Sequence, residues 1–293
     1  MKIVIVALLI VLLILLAFTL LGKKEEQEPE VEEKIPKLQP PADETEEVFK
    51  KSMPEVELVT IYDNYQVNPH LKTGWGFSCF VRRSPEGEGG FNILFDTGAD
   101  SPTLLSNMEK LKILPEEIDI VILSHIHGDH VGGLTGFLEA NPNVGVYVPA
   151  SFPVSFKNEI AGYGAEVVEI KEQTEISKNV FSTGEMGTIK EQSLVLNTDK
   201  GLVVITGCAH PGVVNIVKKA KEIFEKDIYL VLGGFHLFGA IDSELRDILK
   251  DFRGLAVEKV APCHCSGDRC RELFKEEYGQ DYIENGVGKI IEI

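Results

Sequence analysis

The chain has 293 residues and a formal net charge of −17, with 46 acidic against 29 basic residues. Its length allows one large domain or two small ones with a sizeable core, and its 44% apolar and 26% charged residues are typical of a globular protein. The acidic excess argues against a nucleic-acid partner, because phosphate contacts need Lys and Arg. It leaves open a small phosphorylated substrate, since bound metal ions can supply local positive charge.

Residues 3–21 are an apolar run without a charged residue. As a helix the run is about 28 Å long, close to the thickness of a bilayer core. We therefore predict a transmembrane helix at residues 1–22 and a single-pass membrane localisation, with the side of the membrane left open. A cleaved signal peptide is the alternative, but its apolar region is normally shorter and a small-residue cleavage site should follow it.

The next segment, residues 23–52, is rich in Glu, Lys and Pro and has almost no apolar period. This composition is typical of a solvated, self-repelling linker. Residues 53–293 then form the predicted catalytic domain.

Strand patterns dominate that domain. Alternating or wholly apolar runs predict strands at residues 55–64, 76–83, 91–98, 118–124, 144–150, 164–170, 193–199, 201–207, 228–234, 259–265 and 286–293. Helical spacing predicts helices at residues 101–114, 212–224, 243–254 and 270–279. Strand-rich halves that each carry helices predict an α+β fold, in which two sheets pack together with helices outside.

The segment "SHIHGDHVGGL", residues 124–134, places three histidines and one aspartate within six positions. His125 and His127 lie two apart at a strand end, so they project to the same side and can reach one metal ion. Asp129 and His130 follow a glycine, where the chain can turn tightly, and can reach a second ion. Imidazole and carboxylate ligands with an open coordination position are typical of catalytic sites for Zn, Fe(II) or Mn(II), whereas structural zinc sites prefer cysteine.

This motif, with "LFDTGAD" at residues 94–100, resembles the metallo-β-lactamase fold superfamily over residues 55–293. The resemblance implies a four-layer αββα sandwich with metals at the mouth between the two sheets. Later histidines in "ITGCAHPG", "LGGFHLF" and "APCHC" resemble one branch of the superfamily. That branch contains metal-dependent hydrolases and dihydropterin–ribofuranosylaminobenzene-phosphate synthases.

The resemblance also implies two divalent ions, with Zn favoured and Fe or Mn as alternatives. The implied ligands are His125, His127 and His210 for one ion and Asp129, His130 and His264 for the other. Asp96 resembles the family's aspartate that accepts a hydrogen bond from a ligand histidine. Most family members have a histidine between His130 and the bridging aspartate, and this chain has none before His210. Cys208 stands where that aspartate is often found, either as a soft ligand or as a neighbour of the site.

The function that follows is a membrane-anchored hydrolase acting on a small-molecule ester, amide or phosphoester through a metal-bound hydroxide. Asp129 and His236 are its candidate catalytic residues, although His236 has a core histidine as its alternative reading. A metal-dependent transferase that joins a pterin methyl diphosphate to an arylamine phosphate is the second hypothesis. A non-catalytic binding module is the third, and the complete ligand motif argues against it. A nuclease is disfavoured by the acidic charge.

The cysteines leave further alternatives open. A structural zinc site of Cys263, Cys265, Cys270 and His264 is one alternative, although the strand-end position of His264 and the resemblance argue against it, and a disulfide among these cysteines is another. An odd count of five at uneven spacing is not typical of a disulfide framework. The substrate and the oligomeric state do not follow from the sequence.

Overall fold

The computed structural model describes residues 56–83 and 90–293. Its strands are β1 (Val56–Tyr62), β2 (Ser78–Arg83), β3 (Phe91–Phe95), β4 (Ile120–Ile122), β5 (Gly145–Pro149), β6 (Glu166–Ile170), β7 (Thr174–Ser177), β8 (Val180–Ser182), β9 (Leu194–Thr198), β10 (Gly201–Thr206), β11 (Ile228–Gly234), β12 (Lys259–Cys263) and β13 (Ile290–Glu292). Its α-helices are α1 (Ser101–Leu111), α2 (Gly128–Val131), α3 (Leu134–Ala140), α4 (Val154–Gly162), α5 (Val213–Phe224), α6 (Asp242–Gly254) and α7 (Asp268–Tyr278).

The strands form two sheets. The first has the order β13-β1-β2-β3-β4-β5-β6, and the second has the order β12-β11-β10-β9-β8-β7. Strands β3 to β6 pair in parallel, as do β10 to β12. Since the carboxyl ends of parallel strands meet at one edge, the loops after β3 and β4 lie side by side. The loops after β10, β11 and β12 do the same in the second sheet.

Alternating side chains place the core in layers. Leu58 of β1 and Val203 of β10 belong to one apolar cluster between the sheets. Their neighbours Val59 and Val204 point the opposite way, into clusters with the outer helices of each sheet. This alternation follows from the two-residue period of a strand. The predicted α+β fold with two packed sheets is therefore confirmed, and the contacts order its layers as helices, sheet, sheet and helices.

The sequence patterns did not predict several short elements. Strands β7 and β8 have four and three residues, too few for an alternating pattern to be recognised. Helix α4 buries only Ile160, so its apolar period is weak. Helices α2 and α3 lie on either side of Gly132 and Gly133, which a sequence pattern reads as a break.

The predicted membrane localisation and transmembrane helix are not supported by the structure. Within residues 56–83 and 90–293, no helix is long and apolar enough to cross a membrane. Residues 3–21, on which that prediction rested, and residues 23–52 lie outside the described residues. The membrane localisation is therefore dropped, while the domain boundaries at residues 22 and 52 stay predictions.

Candidate metal centre

The histidines of the chain gather at the carboxyl ends of strands. His125, His127 and His130 follow β4, His210 follows β10, His236 follows β11 and His264 follows β12. The one exception, His70, is an exposed loop residue. Because the two sheets pack face to face, residues more than 130 positions apart, such as His130 after β4 and His264 after β12, meet with their ring centroids 5.2 Å apart.

Three ring nitrogens converge on one point. His125 Nε2 lies 3.0 Å from His127 Nδ1, and His210 Nε2 lies 3.3 Å and 3.2 Å from these two atoms. Burial, followed by repulsion from the neighbouring imidazoles, lowers the pKa of His125 well below its ordinary value and that of His210 to about 4. Both rings are therefore neutral at pH 7, which is the form that binds a metal ion.

The geometry of this triad fits a cation. The point equidistant from the three nitrogens lies about 1.8 Å from each, close to the Zn–N distance of about 2.0–2.1 Å. Hydrogen bonds among the rings are a poorer explanation, because the single lone pair of His125 Nε2 accepts from one neighbour at most. A divalent ion bound here would be held by His125, His127 and His210 and would satisfy all three nitrogens at once.

A second group of donor atoms lies beside the first. Asp129 Oδ2 is 3.7 Å from His130 Nε2 and 3.5 Å from His264 Nε2. Cys208 Sγ is 3.2 Å and 3.5 Å from the same two nitrogens. Burial alone would raise the pKa of Asp129, but the neighbouring imidazoles of His264 and His130 lower it to about 2. The group thus offers an ionised carboxylate, two imidazoles and a sulfur atom.

Asp96 orients two of these histidines at once. Its Oδ2 accepts a hydrogen bond from His130 Nδ1 at 2.7 Å and another from the Ser124 hydroxyl at 2.7 Å. Because the Ser124 hydroxyl donates to Asp96, it accepts from His125 Nδ1 at 2.9 Å. Asp96 Oδ1 accepts from the Ser124 backbone N–H at 2.7 Å. Both histidines are thereby held as the tautomer whose Nε2 lone pair faces the donor cluster.

His264 has its own supports, which sequence reasoning missed. Asn64 Oδ1 accepts a hydrogen bond from His264 Nδ1 at 3.0 Å, and the Asn64 amide donates to the His264 carbonyl at 3.1 Å. The buried carboxylate of Asp63 accepts from the His264 backbone N–H at 3.0 Å. These contacts also leave the Nε2 lone pair of His264 facing the cluster.

Glu191 is the third support that the sequence did not reveal. Its side chain is 1% exposed, and its carboxylate accepts the backbone N–H groups of Cys208, Ala209 and His210 at 2.9, 2.8 and 2.8 Å. Burial raises the pKa of Glu191, and the three donors act in the opposite direction. One buried carboxylate therefore fixes the loop that carries both Cys208 and His210.

The model of the metallo-beta-lactamase superfamily matches residues 78–264, well over half of the chain. The chain belongs to the metallo-β-lactamase superfamily. The matched region spans β2 to His264, so it contains nearly all of the donor atoms and supports described above.

The chain is similar to a synthase and to a solved metal-dependent hydrolase, and it shares its fold with a third protein. A 7,8-dihydropterin-6-methyl-4-(beta-D-ribofuranosyl)-aminobenzene-5'-phosphate synthase from Methanocaldococcus jannaschii is 32% identical over a 245-residue alignment that covers 68% of this chain and 83% of that protein. The crystal structure of Tm1679, described as a metal-dependent hydrolase of the β-lactamase superfamily, is 31% identical with a TM-score of 0.67 and covers 81% of this chain and 99% of its own. YhfI from Bacillus subtilis shares the fold at 13% identity and a TM-score of 0.60.

The structure brings most of the predicted site residues together at the strand ends of this chain, but it leaves His236 exposed. His125, His127, Asp129, His130, His210 and His264 converge, and Asp96 lies behind two of the histidines. His236 is exposed, with its ring centroid 4.3 Å from that of His210. The glycine after His127 makes no positive-φ turn and instead begins helix α2. Cys208 Sγ lies among the donor atoms, which is the position of a possible ligand and not only of a neighbour of the site.

The cysteine alternatives are not realised in the structure. All five cysteines are free and buried. Cys263 Sγ lies 3.3 Å from the amide of Asn285, and Cys270 packs from helix α7 into an apolar cluster. Within the described residues, neither sulfur belongs to a donor group able to hold a metal. The described residues therefore do not group these two cysteines as ligands of a structural zinc site.

Strained backbone marks the same strand ends. Asp96, Ala209, His236 and His264 all have φ between 45° and 60° although none is glycine. Non-glycine residues in this region cost roughly 1–3 kcal/mol and persist where surrounding contacts fix them. The hydrogen bonds of Asp96, Glu191 and Asp63 are such contacts.

Close packing at Gly207 gives a first testable prediction. A Cβ atom there would lie 2.1 Å from Ser124 Oγ and 3.0 Å from Asp96 Oδ2. We expect Gly207→Ala to displace Ser124 and to lower the free energy of unfolding by about 1–3 kcal/mol, the usual cost of overpacking. Denaturant titration measures this loss. Gly254→Ala is the matched control because a Cβ there meets nothing within 4 Å. Equal stability of the two variants would contradict the prediction.

Proposed function

We propose that this chain is a metal-dependent enzyme that holds two divalent ions, with Zn favoured, at the centre described above. The proposed ligands are His125, His127 and His210 for one ion and Asp129, His130 and His264 for the other. The convergence of these six side chains, with their hydrogen-bonded supports, is the observation that carries the proposal. When bound, such ions stabilise negative charge on a leaving diphosphate or on a developing oxyanion.

Transfer with loss of diphosphate is the reaction that we propose. It is supported by the 32% identity to a synthase whose name contains a dihydropterin, an aminobenzene and a phosphate. In this reaction the amine nitrogen bonds to the methylene carbon of the pterin, while the bond from that carbon to diphosphate breaks. The amine loses one proton. His236, exposed at the rim with its ring beside His210, is placed to accept that proton.

An aromatic side chain at the rim supports a substrate with planar rings. Trp75 is 53% exposed, and its ring centroid lies 5.1 Å from that of His264. Large exposed aromatic residues beside a polar cluster are typical of binding surfaces, because their faces stack on planar rings. Trp75 therefore offers a ring-stacking face next to the metal centre, where either the pterin or the aminobenzene would lie.

Hydrolysis is the second candidate function. It is favoured by the 31% identity to a metal-dependent hydrolase of the same superfamily across 81% of this chain. The side chains would have the same roles, but water would replace the amine as the attacking group. The two candidates differ in one measurable respect: only the transfer requires the arylamine.

The decisive experiment measures diphosphate release by the full-length, zinc-loaded protein from hydroxymethyl-dihydropterin diphosphate, with and without ribofuranosylaminobenzene phosphate. We expect release to depend on the arylamine and to match the amount of coupled product found by mass spectrometry. His264→Ala should reduce the rate by roughly 100-fold or more, because losing even an outer support of a metal ligand typically costs 10–100-fold.

Three outcomes would count against the transfer. Release that is equal without the arylamine would support hydrolysis. No release from either mixture, in a protein that holds its ions, would exclude this substrate pair. An unchanged rate in His264→Ala would remove the second ion from the proposal. Lys218→Ala, on the exposed face of α5, is a control that should keep the full rate.

A further inference from the structure

Cys208 stands at the centre of the donor atoms. Among the described residues it belongs to each group of side chains able to hold a metal: one with Asp129, His130 and His264, one with His125 and His210, and one with His236 and Cys265. The donor atoms within each group lie within 4.8 Å of one another. The side chain is only 4% exposed. A sulfur atom so placed lies between the two proposed metal positions.

We propose that the sulfur of Cys208 is a ligand shared by both ions, bridging them as a thiolate. This proposal rests on the two-metal centre proposed above and adds a ligand to it. Metal binding replaces the thiol proton, which passes to solvent, with bonds from sulfur to the two ions. The sulfur then closes the gap between the histidine triad and the group around Asp129.

The backbone around Cys208 is built to hold the sulfur there. Glu191 accepts the N–H groups of Cys208 and of the two residues that follow it. Ala209 has φ 60°, a conformation that turns the chain sharply between Cys208 and His210. The same turn therefore presents a sulfur to one side and an imidazole to the other.

Cys265 is the rival sulfur, and its position is different. Its thiol donates to the Cys208 carbonyl at 3.5 Å, so it lies behind the loop. It shares a donor group with His236 and Cys208, but not with Asp129 or the histidine triad. Cys265 is therefore expected to support Cys208 without binding either ion of the centre.

A bridging thiolate also predicts which metals the centre prefers. Thiolate is a soft ligand that favours Zn and similar borderline or soft ions over Mn and Mg. We expect Zn, Co(II) and Cd to bind more tightly than Mn, with the difference narrowing when Cys208 is replaced by aspartate.

The test is cobalt spectroscopy of the full-length protein after its metals have been removed. Addition of Co(II) should produce a sulfur-to-cobalt charge-transfer band in the near ultraviolet, reaching its limit near two ions per chain. Cys208→Ser should lose the band. Cys208→Asp should lose the band but keep two ions, because a carboxylate can also bridge. Cys265→Ser and Cys79→Ser are the matched controls, and both should keep the band.

Each alternative outcome has a distinct meaning. Two cobalt ions without the band in the wild type would overturn the bridging thiolate and leave the two-metal centre intact. A band that survives in Cys208→Ser, or one that is lost in Cys265→Ser alone, would assign the sulfur to another cysteine and overturn the proposal. Failure of the folded wild type to bind any ion would overturn the metal centre and the bridge together.

Discussion

Asp96→Asn is expected to weaken the binding of both metal ions by roughly 10–100-fold, the usual cost of losing the partner of a ligand histidine. One carboxylate serves both groups, since it accepts from His130 directly and from His125 through Ser124. An asparagine amide has one acceptor oxygen, so its NH₂ group must face at least one of the existing donors. Asparagine also tolerates the φ of 57° at this position, so the backbone should keep its course.

Chelator competition measures the two affinities, and thermal unfolding of the metal-free protein checks that the fold survives. Ser124→Ala is the informative partner variant. It breaks the link to His125 but leaves the bond between Asp96 and His130, so only one ion should be weakened. Asp119→Asn is the control, because this carboxylate accepts the N–H of Asn92 at the opposite end of β4. Unchanged affinity for both ions in Asp96→Asn would refute the shared support.

The fold was predictable where its cause is local. Strand β10 is apolar at nearly every position and is buried throughout, and this run is visible in the sequence. The His-x-His-x-Asp-His motif is also local, because its four side chains come from one strand end and the short helix that follows. The sequence therefore predicts where half of the donor cluster lies without any knowledge of the rest of the chain.

Asp96 apart, the supports of the cluster were not predictable, because each depends on a long-range contact that leaves no local signal. Asn64 meets His264 across 200 positions, and Glu191 reaches its loop across 17 to 19. Nothing in "DNY" or "KEQS" separates these residues from ordinary loop residues. Only the packing of the two sheets, which brings the ends of β1 and β12 together, reveals what Asn64 touches. Cys208 was ambiguous for the same reason, since spacing alone does not show on which side of the ligands its sulfur lies.

Glu191→Ala is expected to lower the free energy of unfolding more than Glu191→Gln does, and to weaken metal binding by His125, His127 and His210. It leaves three buried N–H groups without a partner, each costing about 1–3 kcal/mol, so the loss of unfolding free energy is on the order of 3 kcal/mol or more. Glu191→Gln keeps the side-chain volume but replaces one acceptor oxygen with a donor. We expect it to retain the fold while losing at least tenfold in metal affinity, because His210 and Cys208 are no longer held.

A second substitution separates the loop effect from general destabilisation. Ala209 is held at φ 60°, which glycine adopts without strain. If Glu191 acts by fixing this turn, Ala209→Gly should restore part of the metal affinity of Glu191→Gln, as measured by chelator competition. The control Glu185→Gln removes a carboxylate that accepts the N–H of Ser151 in the same region, and it should leave metal affinity unchanged. Full metal affinity in Glu191→Gln would show that the turn at Ala209 keeps its conformation without the carboxylate. Glu191 would then contribute to stability alone.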